Sequence, residues 1–169
     1  MFSIWYFLEE KEMDKFPLTK IGYELLEQEL KNRKGIERPN IIAEIAEARA
    51  KGDLSENAEY SAAKEKQSFN EGRIQELEAV ISRAQIIDPT KMSGDIVRFG
   101  ATVLVANTDT DEENEYQIVG DYEADIEKHK ISLSSPLARA LIGKEIGDIA
   151  EYLAPNGKKS YEIIEVKWK

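Results

Sequence analysis

Apolar residues recur at helical spacing through the first half of the chain, and beyond about residue 94 the period shortens to two. Ile21, Leu25, Leu26 and Leu30 form the apolar face of a first helix that starts near Leu18, with Thr19 as its candidate N-cap. Gly35 and Pro39 interrupt it, and proline's missing N–H predicts a break or kink there. The pattern resumes with Ile41, Ile42, Ile45, Ala46 and Ala50. After Gly52–Tyr60 it returns as Ala58, Ala62, Phe69, Ile74, Leu77, Ile81 and Ala84, a stripe that assigns Phe69 to the seam between helices. The intervening turn is too short for anything but an antiparallel αα-hairpin. A helix from about Ser55 to Ala84 would be roughly 45 Å long at ~1.5 Å per residue.

Asp88-Pro89 ends the helical stretch and begins a linker that reaches about Gly94. β-Branched residues then rise, and strands are predicted at 96–99, 101–105, 115–119, 130–133, 149–153 and 161–166. Between them, Ser134–Gly143 reads as one short helix with a serine cap, proline in the first turn and glycine after the end. The expected fold is α+β: a long N-terminal helical hairpin over 13–88, a linker over 89–94, and over 95–169 a small antiparallel sheet with one helix.

Composition narrows the function. Acidic residues outnumber basic ones 33 to 23, a net charge of -10, which suits a broad nucleic-acid grip poorly. The absence of cysteine excludes disulfides, thiolate catalysis and thiolate metal sites, and the single histidine, His129, sits in a charged run. The apolar opening, Met1–Leu8, is too short to span a membrane, lacks a positive leader and runs into Glu9-Glu10, so the chain reads as cytoplasmic.

The chemistry concentrates in Gly52-Asp53-Leu54-Ser55-Glu56-Asn57-Ala58-Glu59-Tyr60. Asp53 and Glu56 would stand at the end of a rod with no pocket around them, an arrangement that suits chemistry delivered into another protein's active site. The same Asp53-x-x-Glu56 spacing also fits a capping box, Asp53 capping the returning helix and Glu56 reaching back. Arg49, Lys51, Lys64 and Lys66 flank the turn, and as bare sequence they read as solvated or paired with neighbouring glutamates in preference to RNA-binding. Glu59 and Tyr60 fit either support of the tip acids or plain helix packing.

Two long motifs carry a resemblance. Ala46-Glu47-Ala48-Arg49-Ala50-Lys51-Gly52-Asp53-Leu54-Ser55-Glu56-Asn57-Ala58-Glu59-Tyr60, continued by Ala62-Ala63-Lys64-Glu65 and Glu71-Gly72-Arg73-Ile74, resembles the GreA/GreB family of bacterial transcript cleavage factors. So does Ser135-Pro136-Leu137-Ala138-Arg139-Ala140-Leu141-Ile142-Gly143-Lys144. The resemblance runs from about Met13 to the C-terminus; residues 1–12 precede the usual family start, Met13 is a candidate initiator, and the extension receives no function.

The resemblance implies a coiled-coil finger joined to an FKBP-like domain that docks on RNA polymerase at the rim of its secondary channel. The finger stimulates the polymerase to cut backtracked nascent RNA, so the chain is a cofactor for another enzyme, not a catalyst itself. By motif position Asp53 and Glu56 are the catalytic tip acids, Arg49 and Lys64 form a small basic patch facing the RNA, and Asn57, Glu59 and Tyr60 are candidate tip supports. No cofactor is expected to bind stably to the chain alone. Magnesium accepts one or two carboxylates plus substrate phosphate, so Asp53 and Glu56 are expected to share it only inside the polymerase site. No membrane and no small-molecule substrate are expected as partners. The modest number of bases favours the less basic of the family's two branches, with short backtracked RNA as its substrate. Two alternatives stand beside this. One is a related channel binder that inhibits without cleavage, which the Asp-Leu-Ser-Glu-Asn tip disfavours. The other is a prolyl isomerase of FKBP-like fold, for which the aromatics (Phe99, Tyr116, Tyr122, Tyr152, Tyr161, Trp168) look too scattered.

Overall fold

The computed structural model describes residues 15–53 and 57–169. The extension 1–12, Met13, and Leu54, Ser55 and Glu56 of the acidic turn lie outside the described residues. The chain divides into two compact units, a helical one, Tyr23–Ala84, and a sheet unit made of the described residues up to Gly22 together with Gln85–Lys169.

The helical unit runs through α1 (Lys20–Asn32), a π-helical turn (Arg33–Glu37), α2 (Arg38–Ala50) and α3 (Ala58–Ser82). The sequence predicts a break or kink at Gly35 and Pro39, and the helix is not broken there. The backbone widens instead: the Arg38 N–H donates five residues back to the Arg33 carbonyl, and Pro39 falls in the first turn of α2. A π-helical turn accommodates a residue that cannot donate and whose ring crowds the preceding turn.

Helices α2 and α3 pack antiparallel, because their ion pairs descend along one as they climb the other. Lys34 meets Glu78, Arg38 meets Glu71, Lys66 meets Glu44, and Lys51 meets Glu59. Ile41, Ile45 and Ala63 form a buried cluster with Tyr60 against it. Along α3 the buried positions are Ala63, Asn70, Ile74, Leu77 and Val80. This seam differs from the apolar stripe of the sequence at Ala58 and Ala62, which are exposed, and most importantly at Phe69. Counting four and three residues from Ala63 leads to Asn70, so Phe69 stands about 100° off the seam and is 71% exposed. Ile21 and Leu25, expected on the buried face of α1, are also exposed at 62% and 56%, while Leu26 is buried.

The ends of the predicted helical stretch are strands. β1 (Phe16–Thr19) pairs with β2 (Ala84–Ile87); the β-branched Ile86-Ile87 suits an extended backbone once a partner strand is present. Thr19 does cap α1, its Oγ1 accepting from the Gly22 N–H at 3.0 Å. Glu123 accepts from the Thr19 N–H at 3.0 Å, the Thr19 hydroxyl, and the Gly120 N–H at 3.0 Å. Gly120 lies so close to β1 that a Cβ there would come within 2.3 Å of the Pro17 carbonyl oxygen.

The main sheet contains β3 (Thr102–Asn107), β4 (Glu113–Val119), β5 (Lys130–Ser132), β6 (Ile149–Ala154) and β7 (Gly157–Lys167), in the order β5-β4-β3-β7-β6. It is not wholly antiparallel as expected. β5 joins β4 in parallel, with Ile118 opposite Ile131, because residues 120–129 carry the chain back before it pairs. Nor is 96–99 a strand: Ile96 makes one bridge to Glu145, and Val97 exchanges hydrogen bonds with Lys144 and Gly143. The single short helix α4 (Pro136–Leu141) is as predicted, capped by the Ser135 hydroxyl, with Pro136 in its first turn and Gly143 at φ +83° after it. Leu137, Ala138 and Leu141 on α4 close the core with Val97, Val103, Val105, Ile118, Ala150 and Ile163.

Candidate functional site

At the tip, α2 ends at Ala50 and the Lys51 N–H donates to the Ala48 carbonyl at 3.2 Å. Gly52 takes φ +121°, a region open to glycine, and turns the chain away from the helix axis. Asp53 follows, exposed. The proposed second acid, Glu56, falls among the residues outside the description.

The helix cap differs from the capping-box reading. Asn57, not Asp53, is the N-cap of α3, and the helix begins at Ala58 instead of near Ser55. Asn57 Oδ1 accepts from the Tyr60 N–H at 3.0 Å, and its Nδ2 donates to the Ala48 carbonyl at 2.8 Å. One side chain therefore satisfies an orphan donor of α3 and a carbonyl in the last turn of α2. The sequence signal was present, since Asn is among the best N-cap residues and Glu59 in the first turn complements the helix dipole. With 25 residues, α3 is about 37 Å long.

The flanking bases divide by partner. Lys51 pairs with Glu59 at 2.7 Å and with Glu47 at 3.6 Å, and the Glu59 contact raises its pKa above the ordinary lysine range. Lys66 pairs with Glu44 at 2.7 Å. Arg49 and Lys64 instead contact neutral groups. The Arg49 guanidinium carbon lies 5.8 Å from the Tyr60 ring centroid, and Lys64 Nζ donates to Gln67 Oε1 at 2.7 Å. Tyr60 and Lys64 are one turn apart on α3 and share a face. The structure thus brings Arg49, Tyr60 and Lys64 together as a small cationic face beside the turn, with Asn57 holding the two helix ends and Glu59 tying down Lys51.

Among the described residues no three His, Cys, Asp or Glu side chains gather as a metal site. Magnesium requires an octahedron of oxygens, of which one or two carboxylates supply a fraction. Of the two carboxylates expected to share such an ion, Asp53 alone lies among the described residues.

The sheet unit carries a second feature that the sequence did not reveal. Asp121 accepts from the hydroxyls of Ser132 and Ser134, which hold its carboxyl below the usual aspartate range. It lines a cleft with Phe16, Tyr122, Leu133 and Arg139, in which Phe16 meets Tyr122 edge-on at 5.9 Å. The aromatics are less scattered than expected: Tyr152 stacks on Tyr161 at 6.2 Å and Tyr116 lies 5.9 Å from His129. Tyr116, Tyr152 and Trp168 pack against the core.

These features define a two-unit protein that displays an acidic turn at the end of paired helices. The chain belongs to the GreA/GreB family of transcription elongation factors: residues 16–86 match the family model "Transcription elongation factor, N-terminal", and residues 92–168 match "Transcription elongation factor, GreA/GreB, C-term". It is 60% identical over 156 residues to transcription elongation factor GreA of Caulobacter sp. (strain K31), covering 92% of this chain and 99% of that one. The corresponding protein of Brucella anthropi is 62% identical over the same share of each chain. Among solved structures, GreA factor homolog 1 (Gfh1) of Thermus thermophilus shares 29% identity, covers 90% of this chain and 99% of that one, and has a TM-score of 0.42. No helix among the described residues is long and apolar enough to cross a membrane.

Proposed function

We propose that the protein binds bacterial RNA polymerase in the cytoplasm and passes its paired helices, as a coiled-coil finger, into the secondary channel. There it stimulates the polymerase's own cleavage of backtracked nascent RNA. The observation that carries this reading is the tip itself. Asp53 is exposed on a glycine turn, while Asn57 locks the two helix ends that present it. An acid so placed reaches a substrate only inside a concave partner.

Magnesium held jointly with the polymerase would supply activation of water and stabilisation of the leaving oxygen. Asp53 and Glu56 share the tasks of holding that ion and orienting the attacking water. Arg49 and Lys64, whose contacts here are with neutral groups, face the phosphates of the extruded RNA. The sheet unit, FKBP-like in this reading, docks on the polymerase, and the chain has no catalytic cycle of its own.

The test is RNA cleavage in a stalled, backtracked polymerase complex with wild type, Asp53→Asn and Glu56→Gln side by side. Stimulation by wild type alone, with all three binding alike, supports the reading. If wild type binds and competes for the channel without stimulating cleavage, the protein is an inhibitor of the same class. Lost binding in Asp53→Asn would make that residue a docking group instead of a catalytic one.

A further inference from the structure

The bases beside the acidic turn are held in two different ways. Lys51 ends on Glu59 at 2.7 Å and Glu47 at 3.6 Å, and Lys66 ends on Glu44 at 2.7 Å. In each pair the positive charge is cancelled on the spot, so a phosphate arriving there meets a glutamate as well. Arg49 is exposed and has no carboxylate partner among the described residues. One turn back on its own helix stand Ile45 and Ala46, and Lys51 already engages the nearby Glu47 and Glu59. Its guanidinium carbon lies instead over the Tyr60 ring, 5.8 Å from the centroid.

A ring holds a guanidinium differently from a carboxylate. Its quadrupole draws the cation over the face without supplying a negative charge. The charge of the arginine and its fork of N–H donors therefore stay available to phosphate oxygens. The ring is itself well placed: it packs against Ile41, Ile45 and Ala63, and the Tyr60 N–H donates to Asn57 Oδ1 at 3.0 Å. Ordering a long side chain before its ligand arrives removes part of the entropic cost of binding. We infer that Tyr60 is a positioning residue for Arg49, its ring setting the guanidinium beside the acidic turn, still charged, to receive an RNA phosphate. This rests on the proposed function for the ligand, and it gives Tyr60 a task that neither support of the acids nor helix packing describes.

The experiment uses the full chain as wild type, Tyr60→Phe, Tyr60→Leu, Arg49→Gln and the double variant Tyr60→Leu/Arg49→Gln. Maximal stimulated cleavage is measured in the stalled, backtracked polymerase complex at saturating protein. The ring-current shift of the Arg49 δ protons is measured by NMR in each free protein that keeps Arg49. Tyr60→Phe retains the ring and should match wild type in both readouts. Tyr60→Leu retains apolar packing without the ring; it should abolish the shift and slow cleavage about 2- to 5-fold, the size of one exposed cation–π contact. In the Arg49→Gln background the same leucine should cost nothing further, because the cation it acts through is gone. Tyr60→Met, more pliant in a packed site, replaces the leucine if that variant fails to fold. An equal loss in both backgrounds overturns the inference, since packing does not depend on Arg49. So does a loss in Tyr60→Phe as large as in Tyr60→Leu, which would assign the role to the hydroxyl. Wild type without the ring shift, or undiminished cleavage by Tyr60→Leu, overturns it and leaves the proposed function standing. Wild type that shows the shift yet stimulates no cleavage removes the proposed function and this role of Tyr60 with it.

Discussion

Asn57 reaches back across the acidic turn to the carbonyl of Ala48, at 2.8 Å, while its own oxygen accepts from the Tyr60 N–H at 3.0 Å. The last turn of α2 and the first turn of α3 are therefore fastened by one uncharged side chain. The turn between them, which carries Asp53, starts and ends at fixed points.

Replacing Asn57 by Ala removes both bonds. The cap alone is worth about 1 kcal/mol, and the loss falls on the tip while the rest of the helical unit keeps its seam. Hydrogen exchange should accelerate at the Tyr60 amide in Asn57→Ala with little change at Leu77. Stimulated cleavage should fall although both acids are retained. Asn57→Asp preserves the acceptor for Tyr60 but not the donor for Ala48, and should fall between.

Adjacent substitutions on α3 test the seam. Asn70 is 3% exposed; its Oδ1 accepts from Arg33 Nη1 at 3.1 Å and its Nδ2 donates to the Arg33 carbonyl at 3.4 Å. Asn70→Ala removes the acceptor for Arg33 Nη1 and the second donor to the Arg33 carbonyl, and should cost about 1–3 kcal/mol. Phe69→Ala should cost less than about 0.5 kcal/mol as a surface change. Thermal melts of the two variants decide which residue faces the partner helix.

Acid should loosen the helical unit through Glu29. Hydrogen bonds from Arg73, followed by those from Arg33, lower its pKa to about 2, against about 4.3 for an unfolded glutamate. A depressed carboxylate stabilises the fold fully above its unfolded pKa and loses that contribution as pH falls through its folded value. The difference in melting temperature between wild type and Glu29→Gln should therefore be constant above about pH 5 and shrink between about pH 4 and 2. A difference independent of pH would show that the carboxylate charge contributes nothing.

Gly120→Ala should loosen β1. The added Cβ would sit 2.3 Å from the Pro17 carbonyl oxygen, and a backbone atom cannot swing aside as a side-chain tip can. A loss of roughly 2 kcal/mol or more is expected, within the range for overpacking, read as a lower urea midpoint. Glu123→Ala should act in the same direction, since it removes the acceptor for Thr19 and Gly120.

Much of this was legible in the sequence because local rules and tertiary packing agreed. The Ser135-Pro136 start and Gly143 stop mark α4 by backbone chemistry alone, and the strand patterns in 101–105 and 161–166 need no partner to be seen. The misreadings occur where packing overrides a local preference. Phe69 looked like core because it is apolar, but the spacing from Ala63 hands its place to polar Asn70. Phe16–Thr19 and Ala84–Ile87 resemble helix ends until each strand supplies the other's hydrogen bonds. Asp53 and Glu56 have capping spacing, yet Asn57 lies where the helix begins. The Asp121–Ser132–Ser134 cluster was out of reach, since it depends on a parallel strand pairing that periodicity does not encode.

The π-helical turn Arg33–Glu37 holds one residue more than an α-helix needs for the same advance. Each residue of an α-helix subtends about 100°. Deleting one residue between Arg33 and Glu37 would restore ordinary winding and leave Arg49 and Asp53 at about their present bearing relative to α1, whereas the same deletion from a regular stretch of helix would swing them by about that angle. The wide turn thus works as slack in the rod: it takes up one residue without altering the compass bearing at which the acidic tip points.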